Sequence, residues 1–225
     1  MKEHSDMGFY AELLAGTEAE RAEFLAIPLF SAAVAGQVSL ATYQAFLTQA
    51  YHHVKHTVPL LMAVGARLPE RLEWLREAVA EYVREEYGHQ EWVLDDIRAC
   101  GGDAESVRHG APALATDRMV AYAWDTVMRR NPVGFFGMVL VLEGTSVNLA
   151  TRAARAIQSA LQLPDAAFSY LTSHGELDQS HIGYFEHLMD RLDDPGDQSA
   201  VLWCARQMYG LYGDVFRSVL QTPQA

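Results

Sequence analysis

The sequence predicts an all-α protein, folded as a single-domain helical bundle of seven to eight helices. Apolar residues recur at helical spacing over nearly the whole chain, and no useful length of it alternates as a strand would. Capping residues, prolines and glycines mark where helices begin and end. Because 225 residues can enclose one sizeable core, and no repeat or linker divides them, we assign residues 1–225 to one domain.

The N-terminal half is predicted to hold short helical segments followed by two long helices. Pro28 begins the third segment, Gly36 ends it, and Ser39 is the expected N-cap of the next helix. Pro59 is expected to kink that helix, and Gly101 with the following glycine ends its successor. The predicted helical segments cover residues 7–14, 18–26, 28–35, 40–67 and 70–100.

The C-terminal half follows a looser segment over 103–114. Asn131 and Pro132 open a long apolar helix, Pro164 opens the next, and a turn at 194–196 precedes the last. The predicted helical segments of this half cover residues 116–129, 132–162, 164–192 and 198–220.

Composition argues against several classes of partner. The formal net charge is −12 and Lys2 and Lys55 are the only lysines, which argues against nucleic acid or an anionic membrane. The longest apolar run, 135–142, is far shorter than the roughly 20 residues of a membrane span. The N-terminus lacks the layout of a signal peptide, and Cys100 and Cys204 make no disulfide framework. We therefore expect a cytoplasmic protein and, from the commonest symmetry of oligomers, a homodimer.

Two potential metal ligands interrupt the buried stripe of the helix predicted over 70–100. Glu86 projects onto the stripe and His89 onto its edge, and Glu-x-x-His spacing puts both on one face of a continuous helix. Di-metal sites in helical bundles use the same pairing. Glu85 lies off the stripe and Glu81 further off, so Glu86 is the candidate and Glu85 its alternate. The competing interpretation is a salt bridge from Glu86, with His89 as a core histidine.

Three more potential ligands share one face of the helix predicted over 164–192. His174, Asp178 and His181 have helical offsets that place them within roughly 60° of one another. The same face is apolar on either side of them, so they interrupt a core stripe. Imidazole and carboxylate together suit iron, manganese or zinc. A polar network between helices, or a solvent-lined groove, is the alternative.

Glu143 lies in the most apolar helix of the chain, which we expect to be central. A carboxylate there is protonated, pairs with a cation or bridges metals; otherwise it bonds to an arginine, histidine or tyrosine. Glu143 is also a candidate catalytic residue, together with Tyr82, Tyr184 and Lys55 as possible pocket groups. Carboxylates on buried faces are costly without a partner, so the three acids and their histidines predict a bound cation.

A histidine cluster on the helix predicted over 40–67 is open to two interpretations. His53 flanks the apolar stripe of that helix, whereas His52 and His56 are expected to point away from it. Histidines spaced four apart can bind metal, but a polar helix face is the simpler interpretation.

The candidate ligands together resemble those of the heme-oxygenase-like di-iron oxidases, iron-containing relatives of TenA and PqqC. The likeness covers most of the chain and rests on Glu86-x2-His89, Glu143 and His174-x3-Asp178-x2-His181. It implies a heme-oxygenase-like fold and two irons in a site of three histidines and three carboxylates. It also implies O2 activation, with oxidation, decarboxylation or cleavage of a small-molecule substrate. Some members carry a further carboxylate on an earlier helix, where this chain has His52, His53 and His56.

Other functions fit the sequence less well. The TenA thiaminase branch uses a cysteine in the central helix, where this chain has Glu143, and a heme oxygenase uses an axial histidine near the N-terminus, where only His4 is found. A metal-free TenA- or PqqC-like enzyme, or a ligand-binding protein using the same pocket, is the main alternative. A non-catalytic protein-interaction module is a further one. Phe135 and its apolar neighbours suggest a lipophilic substrate such as an acyl chain, although such residues are more often plain core.

Overall fold

The computed structural model describes residues 8–220, apart from the side chains of residues 145–148 and 174–182. Over this range the chain forms twelve α-helices and three short 3-10 turns and has no strand, which confirms the all-α prediction. The helices are α1 (Phe9–Gly16), α2 (Glu18–Leu25), α3 (Pro28–Val34), α4 (Leu40–Val54), α5 (Thr57–Arg67), α6 (Glu73–Glu86), α7 (His89–Ala99), α8 (Ala104–His109), α9 (Leu114–Arg129), α10 (Phe135–Leu161), α11 (Ser169–Asp190) and α12 (Pro195–Leu220).

The helix predicted over 40–67 is broken rather than kinked. α4 ends at Val54 and α5 begins at Thr57, so the break lies one turn before Pro59. A proline ring clashes with the carbonyl four residues earlier and offers it no N–H, and here that carbonyl belongs to Lys55. The described residues therefore form more helices than the seven to eight predicted, because local breaks divide two of the long helices and α8 is an additional one.

The helix predicted over 70–100 is the second one that breaks. The segment begins with a 3-10 turn over Glu70–Leu72, which α6 follows. α6 ends at Glu86, and α7 begins at His89. Gly88 between them has φ +98°, in the left-handed region that only glycine adopts without strain. The prediction of one continuous helix through Glu86 and His89 is therefore wrong, because Gly88 redirects the chain.

Most of the predicted start and stop signals act where they were expected. The Ser39 hydroxyl accepts a hydrogen bond from the Thr42 N–H at 3.1 Å and caps α4. Gly36 and Gly101 have φ +67° and +74° and follow the ends of α3 and α7. The segment over 103–114 contains α8, which Asp103 caps.

α10 is the central helix of the bundle, as predicted. It packs against α11, α12 and α3, and Phe136 and Val141 on it are fully buried. No single helix within residues 8–220 is long and apolar enough to cross a membrane. Two consecutive segments, Pro132–Gly144 and Leu149–Leu161, reach the required length and composition only when they are taken together, and they are bent by 41° relative to each other.

A fully buried carboxylate on α7 is hydrogen-bonded to the start of α11. Asp96 on α7 accepts hydrogen bonds from the backbone N–H groups of Ser169 at 3.0 Å and Tyr170 at 2.9 Å, and from the Ser169 hydroxyl. These N–H groups belong to the first turn of α11 and have no partner within the helix. Asp96 therefore fixes where α11 begins relative to α7, and both helices carry predicted metal ligands.

We expect Asp96→Ala to lower the free energy of unfolding by about 3 kcal/mol, because three donors lose a charged acceptor in a buried place. Urea denaturation followed by circular dichroism measures the change. Asp95→Ala is the matched control, since the Asp95 side chain is 65% exposed and should contribute no more than about 0.5 kcal/mol. Equal losses in the two variants would contradict the role assigned to Asp96.

Candidate functional site

A cavity of about 160 Å³ lies between the helices that carry the predicted site. Its walls are mainly aliphatic and aromatic, but Glu86 from α6 and Glu143 from α10 both line it, together with Tyr82. Two carboxylates predicted as metal ligands, distant in sequence, therefore face one cavity. Glu81 and Glu85, the neighbouring acids on α6, are exposed.

Glu86 and His89 meet across the break between α6 and α7. The His89 Nδ1 donates a hydrogen bond to Glu86 Oε2 at 3.1 Å, and their side chains are only 3% and 14% exposed. The His89 ring also stacks on Trp92, with 4.1 Å between the ring centroids. The predicted pairing of these two side chains thus exists in the structure, although a turn at Gly88 creates it and not a shared helix face.

Tyr82 is buried beside the carboxylates. Burial raises the pKa of its phenol far above the usual value, and the negative charge of Glu143 adds to the effect, with smaller additions from its other neighbours. The Tyr82 ring lies 6.5 Å from that of Phe136. Tyr82 therefore remains a neutral phenol next to Glu143 at any physiological pH, and a neutral phenol can donate a hydrogen bond.

The other two candidate catalytic residues are not among the described residues that line the cavity. Tyr184 is 39% exposed, with its ring 6.2 Å from the ring of Tyr82. Lys55 lies at the break between α4 and α5, where its Nζ donates to His52 Nδ1 at 3.3 Å and lies 5.3 Å from the centre of the Tyr51 ring. Both are therefore neighbours of the site rather than parts of its wall.

The histidines of α4 are more buried than the sequence suggested. His53 lines the cavity and packs edge-on against Tyr212, at 5.7 Å between ring centroids. His52 is 1% exposed, so the interpretation of this cluster as a polar helix face is wrong for His52. The reason is that α9 packs against α4. Just beyond the end of α4, at the N-cap of α5, His56 Nδ1 accepts a hydrogen bond from Trp124 Nε1 of α9 at 3.4 Å. Burial, and secondarily Lys55, lowers the pKa of His52 to about 4.

His174, Asp178 and His181 lie outside the described side chains, so half of the predicted ligand set has no described position. On either side of them along α11, Leu171 lines the cavity and Tyr184 contacts Tyr82. Within the part of the chain whose side chains are described, no three His, Cys, Asp or Glu residues lie close enough to hold a metal ion.

The described part of the site contains side chains of the kinds that bind metal. It contains two carboxylates at the wall of an apolar cavity, Glu86 and Glu143, and an imidazole, His89, already in contact with one of them. Such oxygen and nitrogen donors are of the kinds that suit non-heme iron. Residues 8–220 therefore supply a partial donor set that fits iron.

Comparison with known proteins gives both a family and a fold. Residues 44–213 match the model of a family described as iron-containing redox enzyme. No curated protein sequence is significantly similar to the chain. Three solved structures of high similarity illustrate the fold.

The first solved structure is a domain of unknown function with a heme oxygenase-like fold from Shewanella denitrificans, with TM-score 0.83 and 22% identity, covering 96% of this chain and 94% of that one. The second is a TenA homologue from Pseudomonas syringae, with TM-score 0.78 and 11% identity, covering 95% and 93%. The third is heme oxygenase-1 from Synechocystis in complex with heme, with TM-score 0.73 and 10% identity, covering 96% and 95%. These likenesses establish a heme-oxygenase-like fold, and that fold hosts more than one chemistry.

Two features of the site were not predicted from the sequence. The turn at Gly88 brings His89 to Glu86, and a glycine inside an otherwise helical pattern was the available signal. The position of His53 in the cavity wall depends on packing between distant helices, for which the local pattern of α4 holds no signal.

We expect Gly88→Ala to destabilise the protein by about 1–2 kcal/mol, because a side chain at φ +98° is strained. A Cβ at Gly88 would meet nothing within 4 Å, so the effect is conformational and not steric. Gly210→Ala is the matched control, because Gly210 lies exposed within α12, also with open space around it, and alanine favours a helix. Thermal unfolding of both variants measures the effect, and a stabilised Gly88→Ala would contradict it.

Proposed function

Because this chain belongs to the family of iron-containing redox enzymes, we propose that it is a non-heme iron oxidase that uses O2 to oxidise, decarboxylate or cleave a small-molecule substrate. The observation that carries the proposal is the meeting of Glu86 and Glu143 at one apolar cavity, with His89 bonded to Glu86. A cation bound between partly buried carboxylates in such a place would stabilise them.

We further propose that the site holds two iron ions. Of the six ligands, the described ones are Glu86, His89 and Glu143, and the sequence register of α11 supplies the others, His174, Asp178 and His181. Glu143 is the best candidate for a ligand shared by both ions, since it lies on the central helix α10 and the other proposed ligands lie on α6, α7 and α11. When bound, ferrous iron supplies the one-electron redox chemistry that O2 reduction requires.

The residues of the chain prepare the site for that chemistry. The hydrogen bond from His89 to Glu86 holds an imidazole and a carboxylate next to each other, so little reorganisation of these two groups is needed when a metal ion binds. The apolar cavity walls exclude water from the reacting groups. Tyr82, neutral beside Glu143, is placed to donate a hydrogen bond to a carboxylate or to the substrate.

The iron content of variants tests the proposal. Wild-type protein loaded with Fe(II) without oxygen and then desalted should retain roughly two iron ions per chain. His89→Ala and Glu143→Gln should each lose at least half of this iron, because removal of a ligand weakens metal binding by tenfold or more. Glu81→Gln is the control, since Glu81 is exposed and pairs with Arg84.

Glu85→Gln in the same experiment tests whether Glu85, rather than Glu86, binds the iron. We expect this variant to retain its iron because Glu85 is exposed. The proposal is contradicted by a wild-type protein that retains no iron. In that case, tight binding of a nitrogen heterocycle would indicate a metal-free enzyme, and a stable protein partner would indicate an interaction module. Iron retained equally by His89→Ala and Glu143→Gln would place the metal elsewhere.

A further inference from the structure

Trp92 connects a proposed iron ligand to the surface of the protein. It follows His89 by three residues on α7, so the two side chains lie on one face of that helix. Their rings stack at 30° with 4.1 Å between the centroids, which is direct contact between two π systems. His89 is 2% exposed, whereas Trp92 is 36% exposed. The indole therefore touches a buried ligand and solvent at the same time.

The other three of the four tryptophans lie in different surroundings. The Arg191 guanidinium lies 4.1 Å from the centre of the Trp74 ring, and a positive charge there opposes the removal of an electron from that indole. Trp124 is hydrogen-bonded at the N-cap of α5, and Trp203 is 55% exposed on α12. Among the described ring contacts, Trp92 is the tryptophan that touches a proposed ligand.

The charges near Trp92 on α7 favour a positive charge on its indole. Asp96, a fully buried carboxylate, follows it by one helical turn, which places the two Cβ atoms about 6 Å apart. Glu91 and Asp95 are also close in the chain, but each is paired with an arginine. Opposite charges attract more strongly where water is excluded, so Asp96 makes the loss of an electron from Trp92 easier.

The proposed chemistry needs a supply of electrons from outside the iron site. Oxidation of two ferrous ions by one electron each provides fewer electrons than the reduction of O2 to water consumes. The ligands Glu86 and His89 are mostly buried, so a reductant in solution does not reach the iron directly. The rate of electron transfer falls steeply with distance, and tryptophan and tyrosine are the aromatic side chains that are oxidised most readily. An oxidisable ring between the surface and a ligand therefore shortens each transfer.

We propose that Trp92 relays single electrons into the iron site from a one-electron reductant that meets the protein where the indole is exposed. In each transfer the indole gives one electron through the His89 ring to the oxidised site and releases its Nε1 proton to water. The reductant then returns one electron to the indole radical, and a proton from water restores the N–H. Trp92 touches no reacting atom and acts through His89. This inference rests on the proposed function, since it requires iron at His89.

Two tyrosines form the rival route from the surface to the site. Tyr184 is 39% exposed, and its ring centroid lies 6.2 Å from that of Tyr82, which lines the cavity. These rings are further apart than those of Trp92 and His89. Oxidation of a phenol also requires the loss of its proton, and Tyr82 is only 2% exposed. The contacts and the exposure therefore favour the tryptophan route.

Electron paramagnetic resonance after rapid mixing of the Fe(II)-loaded, full-length protein with O2 tests the relay. Without reductant, freeze-quenched wild-type protein should show a tryptophan radical, identified by narrower lines in protein grown with ring-deuterated tryptophan. Ascorbate, a one-electron reductant, should remove the signal.

Variants at Trp92 separate electron transfer from packing. Trp92→Phe keeps an aromatic ring against His89, so it should retain as much iron as the wild type but lose the signal. Trp92→Tyr restores an oxidisable ring and should give a tyrosyl radical instead. Trp203→Phe is the matched control, because it removes an exposed tryptophan on α12 and should leave the signal unchanged.

The results separate this inference from the proposed function. Iron retention with no radical in the wild type would overturn the relay and leave the iron site standing. A signal that persists in Trp92→Phe, or that is lost in Tyr184→Phe, would also overturn it. Loss of iron from Trp92→Phe would mean that the indole only supports His89, which contradicts the relay. A wild-type protein that retains no iron would overturn the proposed function and the relay with it.

Discussion

The cost of holding Glu86 and Glu143 at the wall of an apolar cavity constrains the rest of the structure. Each carboxylate loses hydration there, and effective penalties of this kind amount to several kcal/mol per ion. The hydrogen bond from His89 to Glu86 compensates part of that loss of hydration. A bound cation would also stabilise both carboxylates, so the geometry and the membership in an iron-containing redox family point in the same direction.

The surrounding helices are arranged to keep these groups in place. The left-handed turn at Gly88 returns His89 to Glu86, and Asp96, further along α7, then fixes the first turn of α11. α6, α7 and α11 are thus linked by short polar contacts, while α10 supplies Glu143 from the centre of the bundle. The same α10 contributes Glu143 and several other lining residues of the cavity, so one helix relates the site to the space available for a substrate.

Helical spacing was sufficient to predict the all-α fold, the central position of α10 and the more buried position of Glu86 compared with Glu85, because α6 remains regular up to Glu86. It did not predict the breaks near Pro59 and Gly88, since a periodic pattern continues through a local turn and hides it. The burial of His52 was also missed, because the packing of α9 over α4 is a contact between distant segments. The cavity arises in the same way, since its described lining comes from side chains of eight helices that no local pattern relates.

The most direct test of the central claim is anomalous scattering at the iron edge from crystals grown with Fe(II). The account predicts two adjacent peaks, with Glu143 in contact with iron and with Glu86 and His89 among the remaining ligands. The absence of any peak, or a peak away from these three side chains, would contradict it.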